Sequence, residues 1–127
     1  MTASGQLSYT QAASTTDVRG LQTAPGSSSR LASCYYSADS FTLDLNLTDG
    51  KSHQVALYMV DWDSTQRAQS VTVSDATTGA VLDTRSLSNF HGGQWLVWNL
   101  SGHVQITLTR TGSYNCVASG LLFDPAA

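Results

Sequence analysis

The chain contains no glutamate and a single lysine, Lys51; all nine of its acidic residues are aspartate and its other five cations are arginine. Without the straight-chain charged residues that lose little freedom in a helix, an assembly of amphipathic helices has little to build on. No apolar run approaches the ~20 residues of a membrane-spanning helix. A net charge of −3 without a basic stripe speaks against nucleic-acid and anionic-membrane partners. Catalytic signatures are missing as well. There is no Gly-x-Ser-x-Gly elbow and no glycine-rich phosphate loop, and His53, His91 and His103 lack the spacing of a zinc motif. The composition therefore points away from an enzyme.

What is present is serine and threonine, thirty-three together, with ten glycines and eleven aromatic residues across 127 positions. That suits one extracellular β-domain large enough to bury a core. Met1-Thr2-Ala3-Ser4 carries neither a charged nor an apolar leader, so an internal module (residues 1–127) of a longer secreted protein is expected. Cys34 and Cys116 form an even pair in strand-like segments. Two readings stand: a disulfide closing a long loop, which the extracellular context favours, or two buried thiols acting as small hydrophobes.

Residues 54–67 organise the chain. Val55 to Val60 is an apolar run of the length of a central strand, within an expected strand over 53–62, and it delivers Asp61, Trp62, Asp63 and Arg67 to one rim. Phe41, Leu43, Leu45 and Leu47 alternate with Thr42, Asp44 and Asn46, which predicts a half-buried strand turning at Thr48-Asp-Gly-Lys51. Shorter strands are expected near Leu7–Gln11, Val18–Gln22, Leu31–Tyr36, Ser70–Asp75, Val81–Arg85, Gln94–Leu100, His103–Arg110 and Val117–Phe123. Loops are expected over Thr23–Arg30 and Leu87–Gly93. Eight to ten short strands and no helix predict an antiparallel β-sandwich of jelly-roll or immunoglobulin-like kind.

Asp61 and Asp63 on one rim suggest three roles. They resemble a glycosidase carboxylate pair, but neighbours on one strand rarely flank a substrate from both sides. They are calcium candidates together with Asp49, though no EF-hand spacing supports them and no cofactor is required. The third role, bracing Arg67 or a loop, is the favoured one. The aromatics offer flat faces for the C–H side of a sugar ring. Trp98 shares a face with Leu96 and Leu100 and belongs to the core. Trp95, on the opposite face and following Gly92-Gly93, is the better platform. Tyr35 and Tyr36 are adjacent, so one points inward and one outward; Trp62 is open to either fate.

Several stretches carry a likeness to known proteins: Phe41-Thr-Leu-Asp-Leu-Asn-Leu-Thr-Asp-Gly-Lys-Ser-His-Gln-Val-Ala-Leu-Tyr58, Asp61-Trp-Asp-Ser-Thr65, Gly79-Ala-Val-Leu-Asp-Thr-Arg85, Gly93-Gln-Trp-Leu-Val-Trp-Asn-Leu-Ser-Gly-His-Val104 and Ala118-Ser-Gly-Leu-Leu-Phe123. With Ser14–Arg19 as its start, the text resembles non-catalytic modules that accompany glycoside hydrolases in secreted bacterial proteins. The resemblance implies a β-sandwich carbohydrate-binding module for β-linked glucans such as cellulose, cello-oligosaccharides, mixed-linkage glucan or xyloglucan. It also implies an attached catalytic domain, and a monomeric module is expected. Stacking would fall to Trp95, Trp62, Tyr35 and Tyr36, and hydrogen bonding to Asp61, Asp63, Gln94 and Arg67. The competing reading is a structural or adhesive spacer domain, calcium-stabilised at Asp61 and Asp63, with every tryptophan buried.

Overall fold

A computed structural model of the chain describes residues 2–22 and 29–123. Twelve strands run through them: β1 (Thr2–Ser4), β2 (Leu7–Thr15), β3 (Leu21–Gln22), β4 (Arg30–Ser37), β5 (Ser40–Leu47), β6 (His53–Met59), β7 (Ala68–Asp75), β8 (Val81–Ser88), β9 (Gln94–Leu100), β10 (Gly102–Arg110), β11 (Cys116–Ala118) and β12 (Gly120–Phe123). All pairings are antiparallel. One layer is a five-stranded sheet in the order β1-β5-β10-β7-β8. The other comes in two parts, β11-β4-β2 with β3 on β4, and β12-β6-β9. Those parts meet where β11 runs into β12 through Ser119, whose N–H donates to the Tyr58 carbonyl at 2.8 Å. The result is a β-sandwich.

Period-two alternation builds its core, since successive side chains leave a strand on opposite faces. Phe41, Leu43 and Leu45 of β5, Val104, Ile106 and Leu108 of β10, and Val71 and Val73 of β7 meet Val55, Leu57 and Met59 of β6 and Leu96, Trp98 and Leu100 of β9. Gln69 of β7 is fully buried, yet both ends of its amide are satisfied by the Val117 backbone, at 2.9 and 2.8 Å. A side chain thus stands in for one rung of a ladder between the two layers. At the open side of the sandwich, Trp98 donates its indole N–H to Asp83 at 2.8 Å, and Arg85 bonds the same carboxylate while lying over the Trp98 ring.

Several expectations shift. The central strand stops at Met59 instead of residue 62, because the next amides turn to other partners. Val60 donates to the Ser119 hydroxyl and Asp61 to the Phe90 carbonyl. The strand expected near Leu7–Gln11 runs on to Thr15 as β2, with an unexpected β1 before it, and Val18–Gln22 is shorter: Asp17–Gly20 is a turn, with Val18 exposed, and only Leu21 and Gln22 pair. Val117–Phe123 is broken in two at Ser119. Leu87 belongs to β8 and is buried. Except for Ser29 and Arg30, the Thr23–Arg30 loop lies outside the described residues.

The expected Cys34–Cys116 disulfide is corrected: both are free, buried thiols. The register shows why. Cys116 lies opposite Ser37, three residues along β4 from Cys34. At ~3.3 Å per residue that offset alone is about 10 Å, beyond the Cα separation a disulfide spans. The Cys116 thiol instead faces the carbonyls of Ser37 and Leu108, at 3.4 and 3.5 Å.

Candidate functional site

The loop that follows β6 is closed by a buried ion pair. Asp61 is 1% exposed. Its Oδ1 accepts from the Ser64 hydroxyl at 2.7 Å and the Arg67 guanidinium at 2.6 Å, and its Oδ2 from the Arg67 backbone N–H at 3.0 Å. Burial alone would push this carboxyl up; the hydrogen bonds from Ser64 and Arg67 outweigh it and hold the group below the usual carboxylate range. Arg67 also pairs with exposed Asp63, donates Nε–H to Asn115 Oδ1 at 2.7 Å and lies 5.3 Å from the Tyr114 ring centroid. Asp61, Asp63 and Arg67 therefore brace the loop. Asp61 and Arg67, read from sequence as sugar ligands, direct their hydrogen bonds to each other and to Ser64, Asp63 and Asn115. Among the described residues no group of three or more His, Cys or Asp side chains converges as metal ligands.

Beside this pair a second arginine spans two loops. Arg19 holds Asp17 through Nε and Nη2, the latter at 2.9 Å. The Asp17 carboxyl falls to about 2, through the side-chain and backbone hydrogen bonds of Arg19. Nη1 of Arg19 reaches the carbonyls of Trp62 and His91, at 3.3 and 3.0 Å, and the guanidinium covers the Trp62 ring at 4.4 Å. His91 Nδ1 lies 2.7 Å from the carbonyls of both Asp61 and Ser64, which fixes Nδ1 as the protonated nitrogen. Trp62 is thereby half-buried, with one face of its ring under a cation.

Trp95 is different. It stands at the start of β9 on the outer face of its sheet, 41% exposed. Its ring lies 4.7 Å from that of Tyr58, directly opposite on β6, at 35°. Tyr58 is buried and fixed from behind, its hydroxyl donating to the Arg19 carbonyl at 2.7 Å. Gly93, at φ +89°, lets the loop pass the Tyr58 ring where any Cβ would collide with it. The indole is thus an exposed plane on a rigid back. Val97, 42% exposed, and exposed Asn99 continue its face along β9, and exposed Gln94 precedes it.

Tyr35 and Tyr36 lie elsewhere, on β4. Tyr36 packs against the core opposite Val117, while Tyr35 is 36% exposed. Tyr35 borders an open cleft of about 390 Å³, together with Tyr9, Ser33, Cys34, Gly120 and Leu121. The sequence-predicted residues therefore fall into four places: the ion-paired loop with Trp62 beside it, Trp95 with Gln94 at the start of β9, the Tyr35 cleft, and the core, which takes Tyr36. Sequence reasoning missed Arg19, Tyr58 and Tyr9. Tyr58 carried a signal, being out of phase with Val55, Leu57 and Met59; Arg19, in a turn without periodicity, carried none.

No family model matches the chain, and no curated protein matches it. Solved structures do. TmCBM61 in complex with β-1,4-galactotriose is 10% identical, with a TM-score of 0.49 over 95% of this chain and 88% of that one. A family 35 carbohydrate-binding module from Clostridium thermocellum is 13% identical, with a TM-score of 0.46 over 95% and 92%. An exo-β-1,3-galactanase from Phanerochaete chrysosporium, bound to β-1,3-galactotriose, is 20% identical with a TM-score of 0.46; it aligns with 97% of this chain, which spans 29% of the enzyme.

Proposed function

We propose that this domain is a non-catalytic, secreted carbohydrate-binding module that holds a β-linked neutral polysaccharide against Trp95 and keeps an attached glycoside hydrolase near it. The observation that carries the reading is the half-exposed indole backed by Tyr58. Aromatic residues in a sandwich are ordinarily spent on the core. Here Tyr58, its hydroxyl bond and the Gly93 passage hold a tryptophan with one face outward. Such a plane takes the C–H side of a pyranose ring at little conformational cost, because the aromatic is already ordered. Asn99, on the same face beyond Val97, offers an amide to a hydroxyl further along the glycan. Both sugar and site shed water on contact, so a single module binds with roughly micromolar to millimolar affinity.

The glycan named by the sequence resemblance is a β-glucan; β-galactan, the ligand class of two of the similar structures, joins it in the test. The experiment is affinity-gel retention and pull-down on cellulose, barley-type β-glucan, xyloglucan, xylan, β-1,4-galactan and starch, with and without EDTA. Wild type is compared with Trp95→Ala and Trp62→Ala. The expected result is retention on a β-linked glycan that Trp95→Ala loses and Trp62→Ala keeps, unaffected by EDTA. A folded protein retained on none of these polysaccharides sinks the reading and leaves the spacer role.

A further inference from the structure

Strand pairing sorts the outer face of β12-β6-β9 into three rows, because residues directly opposite in a ladder share one face of the sheet. Trp95 stands beside Tyr58 and Gly120, Val97 beside Ala56 and Leu122, and Asn99 beside Gln54. None of these residues is charged. The Trp95 row is raised. Tyr58 faces outward yet is only 6% exposed, with its hydroxyl held by the Arg19 carbonyl. A Cβ on Gly120 would stand 2.6 Å from Leu21 Cδ1. Leu21 and the Asp17–Gly20 turn therefore roof Tyr58 and Gly120, and only Trp95 emerges from that row.

The middle row dips. Ala56 ends at Cβ, whereas Val97 and Leu122 on either side of it are 42% and 53% exposed. Ala56 is thus the floor of a trough between two aliphatic walls, with roofed Tyr58 closing one end. The other end runs out over Gln54, which faces Asn99; both are exposed, and neither amide bonds a described residue. Strands ~4.8 Å apart set the walls roughly 10 Å from each other between Cα atoms, the width of a single sugar chain. Aliphatic walls without a charge meet the C–H groups of a neutral sugar, and the amides meet its hydroxyls. Trp95 is the diagonal neighbour of Ala56, about 7–8 Å away, so neighbouring rings of one chain reach both. The raised row also holds a flat, crystalline surface off the floor.

We propose that the trough over Ala56 is the second unit position of the Trp95 site, so that the module grips two consecutive rings of a single, neutral, soluble glycan chain. One ring lies on the indole and the next sits between Val97 and Leu122, with its hydroxyls toward Gln54 and Asn99. The assignment rests on the Trp95 reading above and adds to it the length, the neutrality and the single-chain form of the ligand.

The test is a chain-length series by calorimetry and NMR: the methyl β-glycoside, disaccharide and tetrasaccharide of β-1,4-glucan and of β-1,4-galactan. Microcrystalline cellulose and polygalacturonate serve as the crystalline and acidic controls. In one series the disaccharide is expected to bind about tenfold tighter than the methyl glycoside, the worth of one more apolar contact. The Ala56 methyl and the Trp95 indole N–H of the parent should shift together on its addition. Ala56→Ile fills the trough with a residue that strands favour, and Leu122→Ser removes a wall at an exposed position. Folded, each should bring the disaccharide down to the methyl glycoside, whose own affinity stays unchanged, whereas Trp95→Ala weakens both. A disaccharide no tighter than the methyl glycoside, or an Ala56→Ile variant as tight as the parent, overturns the trough and leaves the Trp95 reading standing. Tighter binding to microcrystalline cellulose or to polygalacturonate overturns it too, as does a sugar-insensitive dimer of the parent that Leu122→Ser breaks. A folded parent that binds neither series overturns both readings together.

Discussion

Replacing Arg67 by leucine tests whether the Asp61–Arg67 pair is a buried charge pair or a surface bridge. Asp61 is 1% exposed and the Arg67 side chain 12%. The substitution removes the guanidinium and leaves the carboxylate with the Ser64 hydroxyl and the residue-67 backbone N–H. Stranding a buried charge costs about 3–5 kcal/mol, against 0–1 kcal/mol for an exposed pair. For a domain of this size that is roughly 4 °C in Tm per kcal/mol. The pH dependence has a definite sign. In the parent, the Asp61 carboxyl lies below its unfolded value, so its contribution is present above that value and lost as pH falls through the lower folded one. In Arg67→Leu, burial without a cation lifts the folded carboxyl above the unfolded value, so the variant recovers stability as the group takes up its proton. Urea denaturation at about pH 7 and again at about pH 4 should therefore show a gap that narrows in acid, and Asp61→Asn added to Arg67→Leu should restore part of the loss at neutral pH. A loss under about 1 kcal/mol, or a gap that does not change with pH, refutes the argument.

Three further outcomes follow from the same structure. Trp98→Phe keeps most of the ring but removes the indole N–H that Asp83 accepts; it should cost about 1–2 kcal/mol in Cm-derived stability. Gly93→Ala forces a Cβ into the Tyr58 ring at a positive φ; unfolding should show a loss above about 1 kcal/mol, and the Trp95 emission should shift as its backing moves. NMR titration of the Asp17 side chain should give a pKa of about 2, against about 3.9 for an unperturbed aspartate. Its tie to Arg19 is thus complete above about pH 4 and lost as pH falls through about 2, and a normal value would show the Arg19 bridge to be open.

The parts of the fold written in local alternation were legible from sequence. Phe41 to Leu47, Leu96 to Leu100 and Val104 to Leu108 placed their inward faces correctly because strand parity is a property of neighbouring residues. The halt of β6 at Met59 was not, since its cause is Ser119 and Phe90, far along the chain. The cysteines failed for a related reason: their pairing depends on a register that only the β4–β11 ladder sets. At the site, the outward face of Trp95 was readable, and so was the bracing of Arg67 by Asp61 and Asp63. The capping of Trp62 by Arg19 was not, because it joins residues 43 positions apart through a turn with no pattern of its own.

The division of the second layer bears on how the molecule breathes. Among the described strands no ladder pairs β2, β3 or β4 with the β12-β6-β9 part of their layer, whereas β5, β10 and β7 are paired on both edges at the centre of the other sheet. Opening of the first group exposes Cys34 and Ala32 but leaves the ladders among β5, β10 and β7 in place. Amide protons of β2 and β4 should then exchange with solvent through a partial opening, well before those of β10, which wait for the whole domain to unfold. The sandwich behaves as a stable half that carries a looser one, and the cleft lies on the boundary between them.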